Sequence, residues 1–124
     1  MNRKKVMPSS TRRAAQPYAD QIAKSKKTIE IRTWRTNYRG DLLIVSSRKP
    51  DKGGEKMPLG VAICIVKLVD CRPMIEADGE AGKASPEGLD YWYYDAFSWV
   101  LEKPRKVKPF PVKGKLGLFN VDLP

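Results

Sequence analysis

The stretch KKTIEIRTWR, Lys26 to Arg35, places one carboxylate, Glu30, among Lys26, Lys27, Arg32 and Arg35. The segment alternates as a β-strand does, so Thr28, Glu30, Arg32 and Trp34 share one face and Ile29, Ile31 and Thr33 the other. On that polar face Arg32 sits two positions from Glu30, where a guanidinium can hold a carboxylate by charge-assisted hydrogen bonds. Such a pair offers donors and acceptors together, suited to the polar edge of a base or to a phosphate. The turn that follows carries Trp34, Arg35, Tyr38 and Arg39, the mixture of aromatic and basic side chains on which splayed single-stranded bases stack.

The chain contains no histidine. That removes Ser-His-Asp and Cys-His nucleophilic catalysis, the usual zinc sites and histidine general-base chemistry. Any reaction has to run on Lys, Glu, Asp, Tyr, Ser, Thr or Cys, and no cofactor is expected; a carboxylate-bound Mg²⁺ at an RNA site stays open. With 124 residues the chain suits one domain, and its formal net charge of +10 favours a polyanionic partner. No apolar run approaches the roughly 18 residues that span a bilayer, so no membrane partner is expected. The basic N-terminus lacks the apolar core of a secretory signal, which makes a cytoplasmic location the expectation. Cys64 and Cys71 lie in one apolar run; on a continuous strand they would be about 23 Å apart, too far for a disulfide.

The elements that must position these residues follow from the patterning. Residues 1–13, with Arg3, Lys4, Lys5, Arg12 and Arg13, read as a flexible basic arm ahead of a single domain over 14–124. AAQPYADQIAKSK predicts a helix of about ten residues with Pro17 in its first turn. An alternating strand over Thr28 to Trp34 comes next, then a turn where Asn37 and Gly40 can turn left-handed, then a strand DLLIVSS. LGVAICIVKLVDCRP predicts a long, largely buried strand. Residues 74–95 form an acidic excursion in which Ser85 and Pro86 can start a short helix. YDAFSWVLEKP, RKVKPFPVKGKLG and LFNVDLP read as strands interrupted by proline and glycine, an edge or bulged crossing rather than a central strand where prolines cluster. One helix followed by five or six strands predicts a small α+β domain on a curved or closed sheet.

QPYADQIAKSKKTIEIRTWRTNYRGDLLIVSS, GVAICIVKLVDC and FSWVLEKPRKVKPFPVKGKLGLFNVDLP together resemble the ASCH domain, the activating signal cointegrator homology module of the PUA-like superfold. Its motif, G-x-K-x-x-E-x-R, reads here SKKTIEIR, with Ser25 in the place of glycine and Lys27, Glu30 and Arg32 in the expected places. The resemblance implies a small PUA-like β-barrel with flanking short helices, and a cleft lined by the Lys-x-x-Glu-x-Arg residues that holds RNA, a nucleotide or a nucleobase-like ligand.

The expectation is therefore a nucleic-acid-binding module, RNA ahead of DNA. Lys27, Glu30 and Arg32 line its cleft, Lys24, Lys26, Arg35 and Arg39 flank it, Trp34 and Tyr38 stack, and Lys113 lies near it in the PVKG piece of the resemblance. The basic C-terminal run from Lys103 to Lys115 adds a phosphate-tracking surface. The alternative is a metal-independent hydrolase using Lys27 and Glu30. Some ASCH proteins resemble amidohydrolases acting on 4-acetylcytidine, and others are described as ribonucleases. In the amidohydrolase type a threonine stands three residues after the lysine; here that position is Glu30. RNA, another single-stranded nucleic acid or a nucleoside-like small molecule is the expected partner.

Overall fold

The computed structural model describes residues 3–6, 16–82, 95–113 and 118–124. Their order is β1 (Arg3–Val6), α1 (Tyr18–Ala23), β2 (Ile29–Arg32), β3 (Gly40–Val45), β4 (Ala62–Pro73), α2 (Asp78–Ala81), β5 (Phe97–Lys106) and β6 (Phe119–Asp122). The strands form one sheet in the order β2-β5-β4-β3-β1-β6. It is antiparallel except where β1 runs parallel to β3.

The expected α+β class holds, but no closed barrel is seen. Among the described residues the ladder runs open from β2 to β6, two strands of four residues each at opposite ends of the order. Curvature comes instead from register shifts in the long β4–β5 pair, between Ile65 and Lys67 and again between Leu68 and Asp70. Bulges of this kind bend and twist a strand without closing its sheet. Pro104 lies at the first shift, in the half of β5 beyond the reach of β2, which pairs only with Phe97 to Val100. A proline is tolerated there because no second ladder needs its missing N–H.

Both faces of the sheet are covered, which explains why β3 and β4 read as nearly continuous apolar runs. On β3, Leu42 and Ile44 face a core shared with Ala19 and Ile22 of α1 and with Val66, Leu68, Trp99 and Leu101. Leu43 and Val45 face the other side, with Ala62, Ile65, Val112 and the partly buried Phe110, Phe119 and Val121. Cys64 and Cys71 are free and buried, and burial together with Asp20 pushes the Cys64 thiol up to about 12.

Helix α1 is shorter than expected, six residues. The residue before a proline is biased away from helical geometry, so Gln16 stays outside and serves as an anchor. Its side-chain oxygen accepts the Asp20 N–H at 3.0 Å, its amide donates to the Pro58 carbonyl at 3.1 Å, and its own carbonyl accepts the Asp51 N–H at 2.8 Å. Strand β2 is also shorter than expected. Gly40 has φ +123°, while Asn37 does not turn left-handed. Of the expected arm over 1–13, Arg3–Val6 is a strand between β3 and β6; the rest lies outside the described residues, as do Ser85 and Pro86.

Candidate functional site

The site is set up by the way α1 ends. Ser25 has φ +60°, and the N–H groups of Lys26 and Lys27 both donate to the Gln21 carbonyl, at 2.9 and 3.1 Å. A left-handed residue just past a helix is where glycine costs least, so the backbone itself accounts for the glycine at this point of the motif. The reversal delivers Lys27 to the start of β2.

Strand β2 is buried along its whole length. Its polar face does not open onto solvent, contrary to the cleft expected from the sequence. The Lys27 and Glu30 side chains are 0 % exposed and that of Arg32 1 %, with Lys27 Nζ 3.6 Å from Glu30 Oε1 and Arg32 Nη2 3.7 Å from Glu30 Oε2. Both separations permit strong Coulomb attraction and exceed hydrogen-bond length. Neither Glu30 oxygen accepts a hydrogen bond among the described residues. Burial lowers the pKa of the Arg32 guanidinium and the neighbouring Glu30 opposes that shift. Lys27 Nζ donates to the Gly82 carbonyl at 2.6 Å and lies 5.8 Å from the centre of the Tyr18 ring.

Beside Lys27 is a hollow of about 310 Å³ between the end of α1 and the bulged part of β5, lined in part by Ile22, Val66, Leu101, Ser25 and Lys103. Ser25 and Lys103 are the non-glycine residues with positive φ among the described residues. Strained backbone of this kind gathers at binding and switch regions.

The other sequence-predicted residues are dispersed around this cluster. Trp34 is half-buried and meets Trp99 edge to face, with centroids 4.8 Å apart, and its carbonyl accepts the Trp99 indole N–H at 3.2 Å. Tyr38 donates its hydroxyl to the Asp41 carbonyl. Arg35, Arg39, Lys24 and Lys26 are exposed; Arg39 reaches Asp70 at 3.7 Å, and Lys24 pairs with Asp20 at 2.9 Å. Lys113 is exposed and lines a different hollow, of about 240 Å³, with Phe119, Asn120 and Val121 beside β6, at the other end of the strand order from β2. No described contact joins it to Lys27.

Sequence reasoning missed the second charged cluster. Asp78, the first residue of α2, is 4 % exposed. Its carboxylate accepts Arg72 Nη1 at 2.6 Å and Nη2 at 2.9 Å, Ser98 Oγ at 2.8 Å and the Ile75 N–H at 3.0 Å. The Arg72 hydrogen bonds, with help from Ile75 and Ser98, hold its pKa down at about 2. Asp78 sits in a run of acids, and its partners come from two distant strands, so nothing local marks it. The Gly82 carbonyl that receives Lys27 is backbone and leaves no trace in the side-chain pattern.

Comparison with curated proteins returns no match. The ASCH domain family model matches residues 14–111, so that β1 and β6 fall outside the matched span. That span includes Ser25, Lys27, Glu30 and Arg32, the left-handed turn that suits the motif's glycine, and the strands that bury its charges. ASCH domains are a PUA-like family, generally RNA-binding, and the chain belongs to the ASCH domain family.

Proposed function

We propose that this domain binds single-stranded RNA, taking the N–H-bearing edge of one base at the Lys27–Glu30–Arg32 cluster. Glu30 carries the reading. It is a fully buried carboxylate between two cations, and neither of its oxygens accepts a hydrogen bond among the described residues. Burying ionised acceptor groups without hydrogen bonds is costly, and a ligand that supplies N–H donors offsets the cost. A phosphate supplies only acceptors and would be repelled by Glu30. A base edge supplies both: amino or imino hydrogens for Glu30, and a carbonyl for the Lys27 or Arg32 donors.

The formal charge of +10 and the exposed Lys24, Lys26, Arg35 and Arg39 supply the backbone contacts, which hold the strand without reading it. The test is a titration with labelled single-stranded RNA at two salt concentrations. Binding should weaken steeply with salt, by a log-log slope of about −0.7 per phosphate contacted, and Lys27→Met should reduce affinity at both concentrations.

One observation favours a hydrolase as the second reading: a buried lysine ammonium 3.6 Å from a carboxylate has the make-up of a proton-transfer pair. Against an acyl-transfer mechanism, Glu30 occupies the position where a hydroxyl would be needed, and Thr28, the nearest alternative, is exposed with its N–H committed to the Ala81 carbonyl. Turnover of 4-acetylcytidine, or cleavage of the RNA probe, that is abolished by Lys27→Met would establish this reading in place of the first.

A further inference from the structure

The Lys27–Glu30–Arg32 cluster is closed to solvent, so a ligand edge reaches it only after some element moves. The end of α2 lies against it. Gly82 O holds the Lys27 ammonium at 2.6 Å, and Ala81 O accepts the Thr28 N–H at 3.1 Å. Ala81 packs against the core pair Ile29 and Ile31, and a Cβ at Gly82 would come within 2.8 Å of Ile31 Cδ1, so the seat on β2 is close.

Helix α2 has four residues and no side-chain N-cap. A single turn has no stability of its own in water, so what fixes it must come from outside. Asp78 does this. Its four hydrogen bonds tie α2 to Arg72 on β4, to the Ile75 backbone and to Ser98 on β5. The Arg72 side chain is 37 % exposed, so this fastening, unlike the cluster, is in contact with solvent.

We infer that α2 is a gate over the Lys27 cluster and that Asp78 is its latch: α2 lifts to admit ligand, and the Asp78–Arg72–Ser98 bonds set how often it does. Asp78 is a positioning residue, acting on Lys27 through the Gly82 carbonyl without touching ligand. Apparent affinity then equals the intrinsic affinity reduced by the fraction of molecules with α2 lifted. The identity of the ligand rests on the RNA reading above; the motion does not.

Amide hydrogen exchange on the full chain tests it, comparing the parent with Asp78→Asn and Ser98→Ala. The Thr28 amide reports the gate, because its partner is on α2. The Leu101 amide reports the ladder beneath, because it donates to the Thr28 carbonyl at 2.9 Å. Asp78→Asn should speed Thr28 exchange about tenfold or more, and Ser98→Ala by less, with Leu101 unchanged. Affinity for a labelled single-stranded RNA should rise by the same factor as Thr28 exchange. Unchanged Thr28 exchange in both variants overturns the latch, and so does equal acceleration of Thr28 and Leu101, which would mean general loosening. If Thr28 alone accelerates while RNA affinity stays fixed, the latch stands and the cluster is not the RNA site. Should Asp78→Asn fail to fold, Ser98→Ala decides alone, since it keeps both Arg72–Asp78 bonds.

Discussion

Glu30 and Asp78 are both buried carboxylates with an arginine partner, yet they are held in opposite ways. Asp78 accepts four hydrogen bonds, and its pKa is held down at about 2. Glu30 has cations at 3.6 and 3.7 Å and, among the described residues, no hydrogen bond at all. A satisfied carboxylate is a fastening, whereas one buried among charges with its acceptor capacity unused is a site awaiting a partner. The two lie at either end of one path through α2, from the Asp78 carboxylate to the Gly82 carbonyl and the Lys27 ammonium.

The sharpest way to break this contrast is to replace the site cluster by apolar side chains. Buried charge clusters rarely stabilise a fold relative to well-packed hydrophobic residues. The triple variant Lys27→Met, Glu30→Met, Arg32→Met should therefore stay within about 2 kcal/mol of the parent in urea unfolding. Its RNA affinity should fall about a hundredfold, as expected when donor–acceptor pairing with a base is removed.

Asp78→Ala should do the reverse. Leaving the Arg72, Ser98 and Ile75 donors without their acceptor should cost about 2–3 kcal/mol in the same unfolding assay, with no loss of RNA affinity. Acid should expose the same difference. The folded pKa of Asp78, about 2, lies below its ordinary 3.8. Its contribution is therefore complete above pH 3.8 and lost as pH falls through about 2. A shift of that size corresponds to about 2 kcal/mol, so denaturant midpoints measured between about pH 5 and about pH 2, which bracket the two values, should fall less in Asp78→Asn than in the parent.

The smallest effect belongs to the periphery. Arg39 is exposed and pairs loosely with Asp70 at 3.7 Å. Arg39→Ala should leave stability within about 0.5 kcal/mol. It should also make the salt dependence of RNA binding shallower, by about 0.7 in log-log slope for each phosphate that Arg39 neutralises.

Much of the fold was legible because its signals are local. The apolar runs of β3 and β4, the polar loop between them and the short α1 behind Pro17 can each be read within about ten residues. The motif placed Lys27, Glu30 and Arg32, and the left-handed Ser25 explains the glycine they usually follow. What stayed hidden depends on pairing between distant segments. Residues 3–6 read RKKV and look like a solvated arm, yet their backbone lies between β3 and β6. Asp78 looks like one acid among many until Arg72 and Ser98 are brought to it from β4 and β5. Burial of the Lys27 cluster was invisible for the same reason: alternation shows which side chains share a face, not whether another element covers it.

The most direct measurement is RNA affinity as a function of salt for the parent and for Glu30→Gln, an almost isosteric change that replaces two acceptors with one. If Glu30 receives a base edge, affinity should drop at least about tenfold at every salt concentration while the log-log slope stays unchanged, because every phosphate remains paired with its cation. A folded Glu30→Gln that binds as the parent does, or one whose slope changes with its affinity, would contradict the assignment of Glu30 as the base-reading residue.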